Sequence, residues 1–301
     1  MDFLTHQRRL LPAVCESYVL QAAHDHLVAS YVDVLDGAGD QRDVEAQAAG
    51  LKAVATWHMV EAVQQSRECC GGKGYLAENR FASLRADSDV FVTFEGDNTV
   101  LMQLVAKTLL SDYAAQFEDL DAVGMVRHLS TRQATRALTD LAHRFGKADL
   151  LDPEWQLDAL RFREERLIDS LARRLRTLTT REGMDPLRAL SRCQDHALAA
   201  ARAHVERRAH ELFQANVRPG LLEQVRDLAA LSTIERDRAW WLEHGFLSSD
   251  ASKDLQRQVN TLLRDLRPHA LTLVAGFGVP DALLRAPIAL DDAPQVGAGS
   301  D

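Results

Sequence analysis

Alternating runs of β-branched and aromatic residues are nearly absent from this chain, and aromatics make up only 6% of its 301 residues, which argues against a fold built on sheets. Cysteine is equally scarce. The four residues Cys15, Cys69, Cys70 and Cys193 show neither the CxxC pairing of a zinc site nor the density of a secreted disulfide scaffold, so a reducing compartment is expected. No apolar run approaches the length of a membrane span, the opening MDFLTHQRRLLPAV lacks the apolar core of a signal peptide, and the ending VGAGSD is not an SKL-type address. Basic tracts interleaved with aromatics are also missing, which argues against a nucleic-acid partner. Lysine is rare beside arginine throughout, a compositional bias that suggests a GC-rich genome and leads us to expect a bacterial, cytoplasmic protein. No HExxH and no Glu-x-x-His motif occurs, so neither a zincin nor a di-iron bundle is indicated and no metal site is expected. His24, His26, His58 and His143 read as scattered core or surface histidines.

What is present is helical spacing. With 46% hydrophobic residues the chain can bury a substantial core, and its length suits two modest domains. The net charge of −9 arises mostly before residue 150, where 14 basic residues face 21 acidic ones. Leu10, Leu11, Val14, Tyr18, Ala22 and Leu27 recur at three-and-four spacing and predict a helix over 6–35, followed by a loop at 36–43. Leu51, Val54, Ala55, His58, Met59, Ala62 and Val63 predict a second helix over 44–68, ended by Gly71, Gly72 and Gly74. After an irregular stretch to Gly96, a third helix begins near Asp97 and carries Leu101, Leu104, Val105, Thr108 and Leu109 inward. A second unit, rich in arginine and glutamate, starts at Ala122, with long runs at 155–181 and 186–217. The acidic segment at 116–125 is the expected connector, giving domains 1–120 and 121–301, and periodicity is lost from Ala286 onward.

One stretch departs from ordinary bundle sequence, RECCGGKGYLAENRFASLRADSDVFVTFEGDNTVLMQLVAK at 67–107. Three glycines within four residues allow close approach of backbone to a ligand, whereas ending a helix needs only one. Gly72, Gly74 and Ala77 fit GxGxxA, but a Rossmann site requires a preceding strand, and a helix precedes this one. Glu95 lies in the apolar string DVFVTFEG. Held against Phe91, Val92 and Phe94, its carboxylate would be partly desolvated and a stronger base when ionised. Asp97, Asn98 and Thr99 are capping types, and the helix N-terminus they open suits a developing oxyanion. On spacing alone a surface-loop role, or a helix-dipole partner role, is the simpler account of Glu95.

The string CGGKGYLAENRFASLRADSDVFVTFEGDNTVLMQLVAK resembles the signature region of the oxidase branch of the acyl-CoA dehydrogenase family. HQRRLLPAVCESYVL is similar to the start of that family's first C-terminal helical domain, and IERDRAWWLEHGFL and LRPHALTLVAGFGVPD to the terminal helical domain of oxidases. The resemblance implies an all-α protein of two packed helical bundles and an FAD-dependent α,β-dehydrogenation of acyl-CoA. It implies that Glu95 is the base, that its backbone N–H bonds the thioester carbonyl, and that Gly96 keeps the approach open. It matches Gly71, Gly72 and Gly74 to a GGxG loop set against a flavin dinucleotide, often a neighbouring subunit's. Asp97, Asn98 and Thr99 fall where relatives contact cofactor or cap the helix, and Phe94 and Tyr75 are candidates to line the acyl pocket. Arg67, Arg80 and Arg85 are better read as surface ion-pairing residues.

The family's N-terminal helical and β domains have no counterpart in this sequence. The expectation is therefore a fragment, or a subunit of a homo- or hetero-oligomer whose partner supplies those domains and most of the FAD contacts. The alternative is a non-catalytic helical assembly subunit. Exposed apolar surface around residues 71–95 is expected if a partner covers the site.

Overall fold

The computed structural model describes residues 1–118 and 149–290, and among them every regular element is helical. Helices α1 (Leu4–Leu35) and α2 (Gln41–Cys69) pack side by side. The loop between them is shorter than the sequence predicts, because the Asp40 carboxylate accepts from the Arg42 N–H and opens α2 at Gln41. The stretch expected to be irregular holds a helix, α3 (Phe81–Phe91), entered through Arg80 at a φ of 61° and packed on α2. Ser88 on its inner face is buried, and its hydroxyl donates to the Leu84 carbonyl. Helix α4 (Asn98–Glu118) buries Met102, Val105 and Ala106. Leu104, expected inward, is exposed instead, since it shares the outer stripe with Val100.

Asp152 and Pro153 start α5 (Pro153–Arg176), which runs into a π-helical turn at Thr177–Arg181. The run expected at 186–217 is broken at Cys193 into α6 (Pro186–Arg192) and α7 (Gln194–Asn216). Helices α8 (Leu221–Arg236), α9 (Arg238–Glu243), α10 (Ser249–Leu266) and α11 (Ala270–Ala275) follow. In α10, Ser252, Leu255, Val259, Leu262, Leu263 and Leu266 form a strict inner stripe. Pro287–Ala289 makes a further 3-10 turn. The connector past residue 118, the division at 120 and 121, His143 and the end of the tail lie outside the described residues.

Helix α7 joins the two segments, packing against α1, α2, α4 and α5. Its buried face is built from small residues, Ala197, Ala200, Ala201, Ala203 and Ala209. On α2 it meets Gly50, where a Cβ would stand 2.5 Å from the Val205 methyl and 3.2 Å from that of Val105. A single cluster of buried side chains consequently runs from Leu11 on α1 to Leu273 on α11. The IERDRAWWLEHGFL segment contributes Trp241, fully buried, which packs with Phe246 beside Phe162 of α5.

Charge is buried at this junction. Glu206 is 3% exposed and is met by Arg236 at 2.5 Å, Arg202 at 2.8 Å and Arg163 at 3.4 Å. Burial opposes its ionisation, but the three guanidinium groups prevail and hold the carboxyl below the usual range. Nearby Glu16 on α1 is pushed up to about 7 by burial and by the Glu206 charge, against the pull of Arg236 and Arg202. His210, 4.0 Å from Glu16, is pushed down to about 4, chiefly by burial.

These shifts have opposite consequences. Glu16 binds its proton more tightly folded than unfolded, so its contribution is full below 4.5 and lost as pH rises through about 7. His210 refuses a proton that the unfolded chain accepts, so its contribution is full above 6.5 and lost as pH falls through about 4. Replacing Glu16 by Gln removes only the first effect. The stability of E16Q relative to wild type should therefore improve by roughly 2 kcal/mol between pH 5 and pH 8. Thermal unfolding at the two pH values checks this, and an unchanged difference would show that Glu16 ionises freely.

Candidate active site

The candidate residues sit on two connections that are both anchored on α2. At its C-terminal end, Gly71–Tyr75 forms a 3-10 turn against the helix. Gly74 is buried there because its backbone passes over the Arg67 carbonyl, where a Cβ would come within 2.2 Å of the oxygen. Gly71, with a φ of 56°, and Gly72 are different: among the described residues nothing stands within 4 Å of where their Cβ atoms would be. Two glycines of the three thus leave bare backbone facing outward, and the third is required internally. Tyr75 is 74% exposed, with the Arg67 guanidinium 4.7 Å from its ring centre.

Asn79 stabilises this turn. It is buried, donates its side-chain N–H to the Lys73 carbonyl at 2.9 Å, and accepts from the Ile288 N–H at 3.0 Å, tying the C-terminal segment to the turn. Arg85 pairs with Asp89 and donates to Gln64, in keeping with a surface ion-pairing role.

The second connection, residues 92–97, carries the base candidate. Its ends are drawn together by the Asn98 N–H donating to the Val92 carbonyl at 3.1 Å. Glu95 has a φ of 55° and Gly96 one of 109°. Only Gly96 tolerates such a value freely, because an L side chain in the left-handed region crowds the following carbonyl. Asp97 caps α4, its Oδ1 accepting from the N–H groups of Thr99 at 2.8 Å and Val100 at 3.4 Å.

Two expectations need correction here. Glu95 is exposed among the described residues rather than enclosed by apolar side chains, and Phe91 and Phe94 pack edge to face with each other at 4.9 Å. Asn98, expected near a cofactor, is 1% exposed and turned inward. Its amide donates to the Ala53 carbonyl at 3.2 Å and the Thr56 hydroxyl at 2.8 Å, and its Oδ1 accepts from Lys52 at 2.9 Å, leaving nothing to offer a ligand. Lys52 also donates to the Gly96 carbonyl at 2.8 Å. The sequence reading did not single out Lys52, Thr56 or Asn79. For Lys52 a signal existed, a rare lysine between the core residues Leu51 and Ala53.

The glycine turn and the base connection do not form one pocket. Arg67 and Lys52, their anchors, are fifteen positions apart on a continuous helix, roughly 22 Å at 1.5 Å per residue. The cleft of about 550 Å³ between α1, α2, α8 and α10 contains none of the candidate residues. Apolar side chains are nonetheless exposed along the region, among them Leu76, Leu84, Val90, Phe91 and Phe94, the last 41% exposed. Among the described residues no group is placed to hold a metal ion, and no helix is long and apolar enough to cross a membrane.

The described residues thus combine an all-helical scaffold with a glutamate held left-handed beside a helix N-terminus and a separate, open glycine turn. A family model described as the acyl-CoA oxidase C-alpha1 domain matches residues 1–110, and a second, described as acyl-CoA oxidase, matches residues 152–292. The chain belongs to the acyl-CoA oxidase family, over the family's C-terminal region.

It is 33% identical to peroxisomal acyl-coenzyme A oxidase 2 of Arabidopsis thaliana, covering 96% of this chain and 43% of that protein. Peroxisomal acyl-coenzyme A oxidase 3 of Homo sapiens is 30% identical, covering 97% and 45%. The crystal structure of acyl-CoA oxidase 3 from Yarrowia lipolytica superposes with a TM-score of 0.80 at 26% identity, over 95% of this chain and 44% of that one. Acyl-CoA oxidase 1 of Arabidopsis thaliana gives 0.81 at 24% identity and shares the fold. The chain therefore spans a little under half the length of the relatives it matches. These relatives are eukaryotic, and those named for a compartment are peroxisomal, which overturns the expectation of a bacterial cytoplasmic protein. Arginine preference carried the bacterial part of that expectation and cysteine usage the cytoplasmic part, and neither encodes an address.

The glycines separate by experiment. Gly74→Ala forces a methyl onto a helix carbonyl that cannot yield, and should cost about 2 kcal/mol in thermal or denaturant unfolding. Gly72→Ala should stay within about 0.5 kcal/mol of wild type, because its Cβ enters open space. Equal losses at both positions would contradict this division.

Proposed function

We propose that this chain supplies the proton-abstracting half of an acyl-CoA oxidase site. Glu95 takes the α-proton of an acyl-CoA thioester, its backbone N–H donates to the thioester carbonyl oxygen, and Gly96 leaves that approach open. Charge developing on this oxygen is stabilised by a donor already fixed in place, the largest kind of contribution an acyl-transfer or enolising site makes. Phe94 and Tyr75 offer exposed aromatic surface to the acyl group. The product is the trans-2-enoyl-CoA of fatty-acid β-oxidation.

The observation that carries this reading is the φ of 55° at Glu95. A non-glycine residue in the left-handed region costs about 1–3 kcal/mol and persists where surrounding structure over-determines it, which is most often at functional sites. Arg80, at 61° where it enters α3, shows that a turn can impose the same backbone, so it is the family match that disfavours the reading as a non-catalytic assembly subunit.

FAD fits the glycine turn, because Gly71 and Gly72 leave their backbone uncovered and a Cβ at either would fill the space where a flat or phosphate-bearing group can lie. Thr99, exposed in the first turn of α4, is a further contact, whereas Asp97 serves as the cap and Gly74 and Asn98 serve the fold. The chemistry that FAD supplies when bound is acceptance of the β-hydride. The separation of roughly 22 Å along α2 supports a glycine turn and a base that meet distant parts of an extended dinucleotide, or the cofactors of two different copies. In this reading residues 1–120 bear the base, residues 121–301 form the terminal helical domain, and an oligomeric partner supplies the N-terminal and β domains.

The test is to purify the chain together with a chain carrying the remaining family length and to follow flavin absorbance on adding acyl-CoA. Wild type should bleach, while E95Q should bind acyl-CoA and bleach at least ~100-fold more slowly, the usual worth of a general base. Undiminished bleaching by E95Q would remove Glu95 from its role.

A further inference from the structure

We propose that Lys52 is a positioning residue for the base: it holds the Glu95–Gly96 turn in the left-handed region and so aims the carboxylate without touching substrate. This rests on the reading of Glu95 as the base.

Two successive residues in the connection have positive φ, and local sequence accounts for only one of them, Gly96. Glu95 must be held there from outside. The Asp97 cap and the bond from the Asn98 N–H to the Val92 carbonyl fix the ends of the connection. Neither grips the peptide that follows Glu95 and Gly96. Lys52 does, its ammonium donating to the Gly96 carbonyl at 2.8 Å.

The same ammonium donates to the Asn98 Oδ1 at 2.9 Å, so one cation bridges the exit of the turn and the first residue of α4. Thr56, one helical turn along α2, completes the seat. Its hydroxyl donates back to the Lys52 carbonyl at 2.8 Å and accepts from the Asn98 amide at 2.8 Å. Among the described residues the bonds of Lys52 go to neutral oxygens rather than to a carboxylate, so its charge is not spent on an ion pair. Bonds from an ionised donor are shorter and stronger than neutral ones, and this pair is half-buried, where water competes less. A compact ammonium with three rotatable donors suits two acceptors at an angle better than the planar fork of arginine, the cation this chain uses almost everywhere else.

Lys52→Met keeps the alkyl stem and removes the cation, and Lys52→Arg restores a cation. In the full chain, amide hydrogen exchange over residues 92–98 should quicken at least ~10-fold in K52M, with exchange in the rest of α2 and α4 unchanged and K52R, whose fork meets the two acceptors less well, recovering only part of the protection. With ¹³C-labelled glutamate and glycine, the Glu95 and Gly96 carbon shifts should move off their positive-φ values in K52M. In the flavin-loaded complex, kcat should fall ~10–100-fold while KM for acyl-CoA moves less than ~3-fold, the mark of a displaced group rather than a lost binding contact.

Unchanged exchange and carbon shifts at 92–98 in K52M would overturn the proposal. So would a loss of protection spread over the whole chain with no recovery in K52R, which is what a merely structural lysine produces. The exchange and shift measurements need neither flavin nor substrate, so they stand apart from the E95Q result. If E95Q still turns over while K52M loosens the turn, it is the base assignment that has failed.

Discussion

The close approach of α7 to α2 at Gly50 is the contact on which both candidate elements depend. A methyl group there would collide with Val205 and press on Val105, so α2 is seated against α7 and α4 at a spacing that suits glycine opposite these two valines. Two positions further on, Lys52 holds the base connection, and fifteen beyond that the Arg67 carbonyl receives the glycine turn. Both elements are connections in sequence, yet their geometry is set by one packed helix. A rigid support of this kind fixes reacting groups more closely than a free loop does.

What that support carries is an incomplete enclosure. Glu95 is exposed, the glycine turn lies far along α2 from it, and apolar side chains between them face outward. An isolated bundle gains by hiding such side chains, and here the core is well formed elsewhere, so their exposure is a local property and not poor packing. The match to a little under half the length of its relatives fits the same picture.

Some of the arginines serve the interior. Glu206 is surrounded by Arg163, Arg202 and Arg236, and Arg8 bridges Glu235 and Asn260. Planar guanidinium groups satisfy buried carboxylates with paired donors, which a lysine cannot do. The network ties α5, α7 and α8 together and reaches Glu16 on α1. It also leaves Glu16 and His210 with opposed dependence on pH.

Helical content, the C-terminal ends of α1 and α2, the run at 155–181 and the motif around Glu95 were legible in the sequence, because three-and-four spacing, capping residues and glycines act over a few positions. Helix α3 was not, since its short span lies among turn-forming residues and is held by packing on α2. Nor could spacing separate the three glycines, because Gly74 is dictated by a carbonyl seven positions earlier and Gly71 by its own left-handed backbone, while no described residue crowds Gly72. The exposure of Glu95, the inward turn of Asn98 and the grip of Lys52 on Gly96 were decided only by tertiary structure. Each depends on a contact between residues more than forty positions apart, or on a wall that the chain does not possess, and no local pattern encodes either. By itself the sequence determined which residues make up the two connections; the fold decided which of them face outward and which hold the others in place.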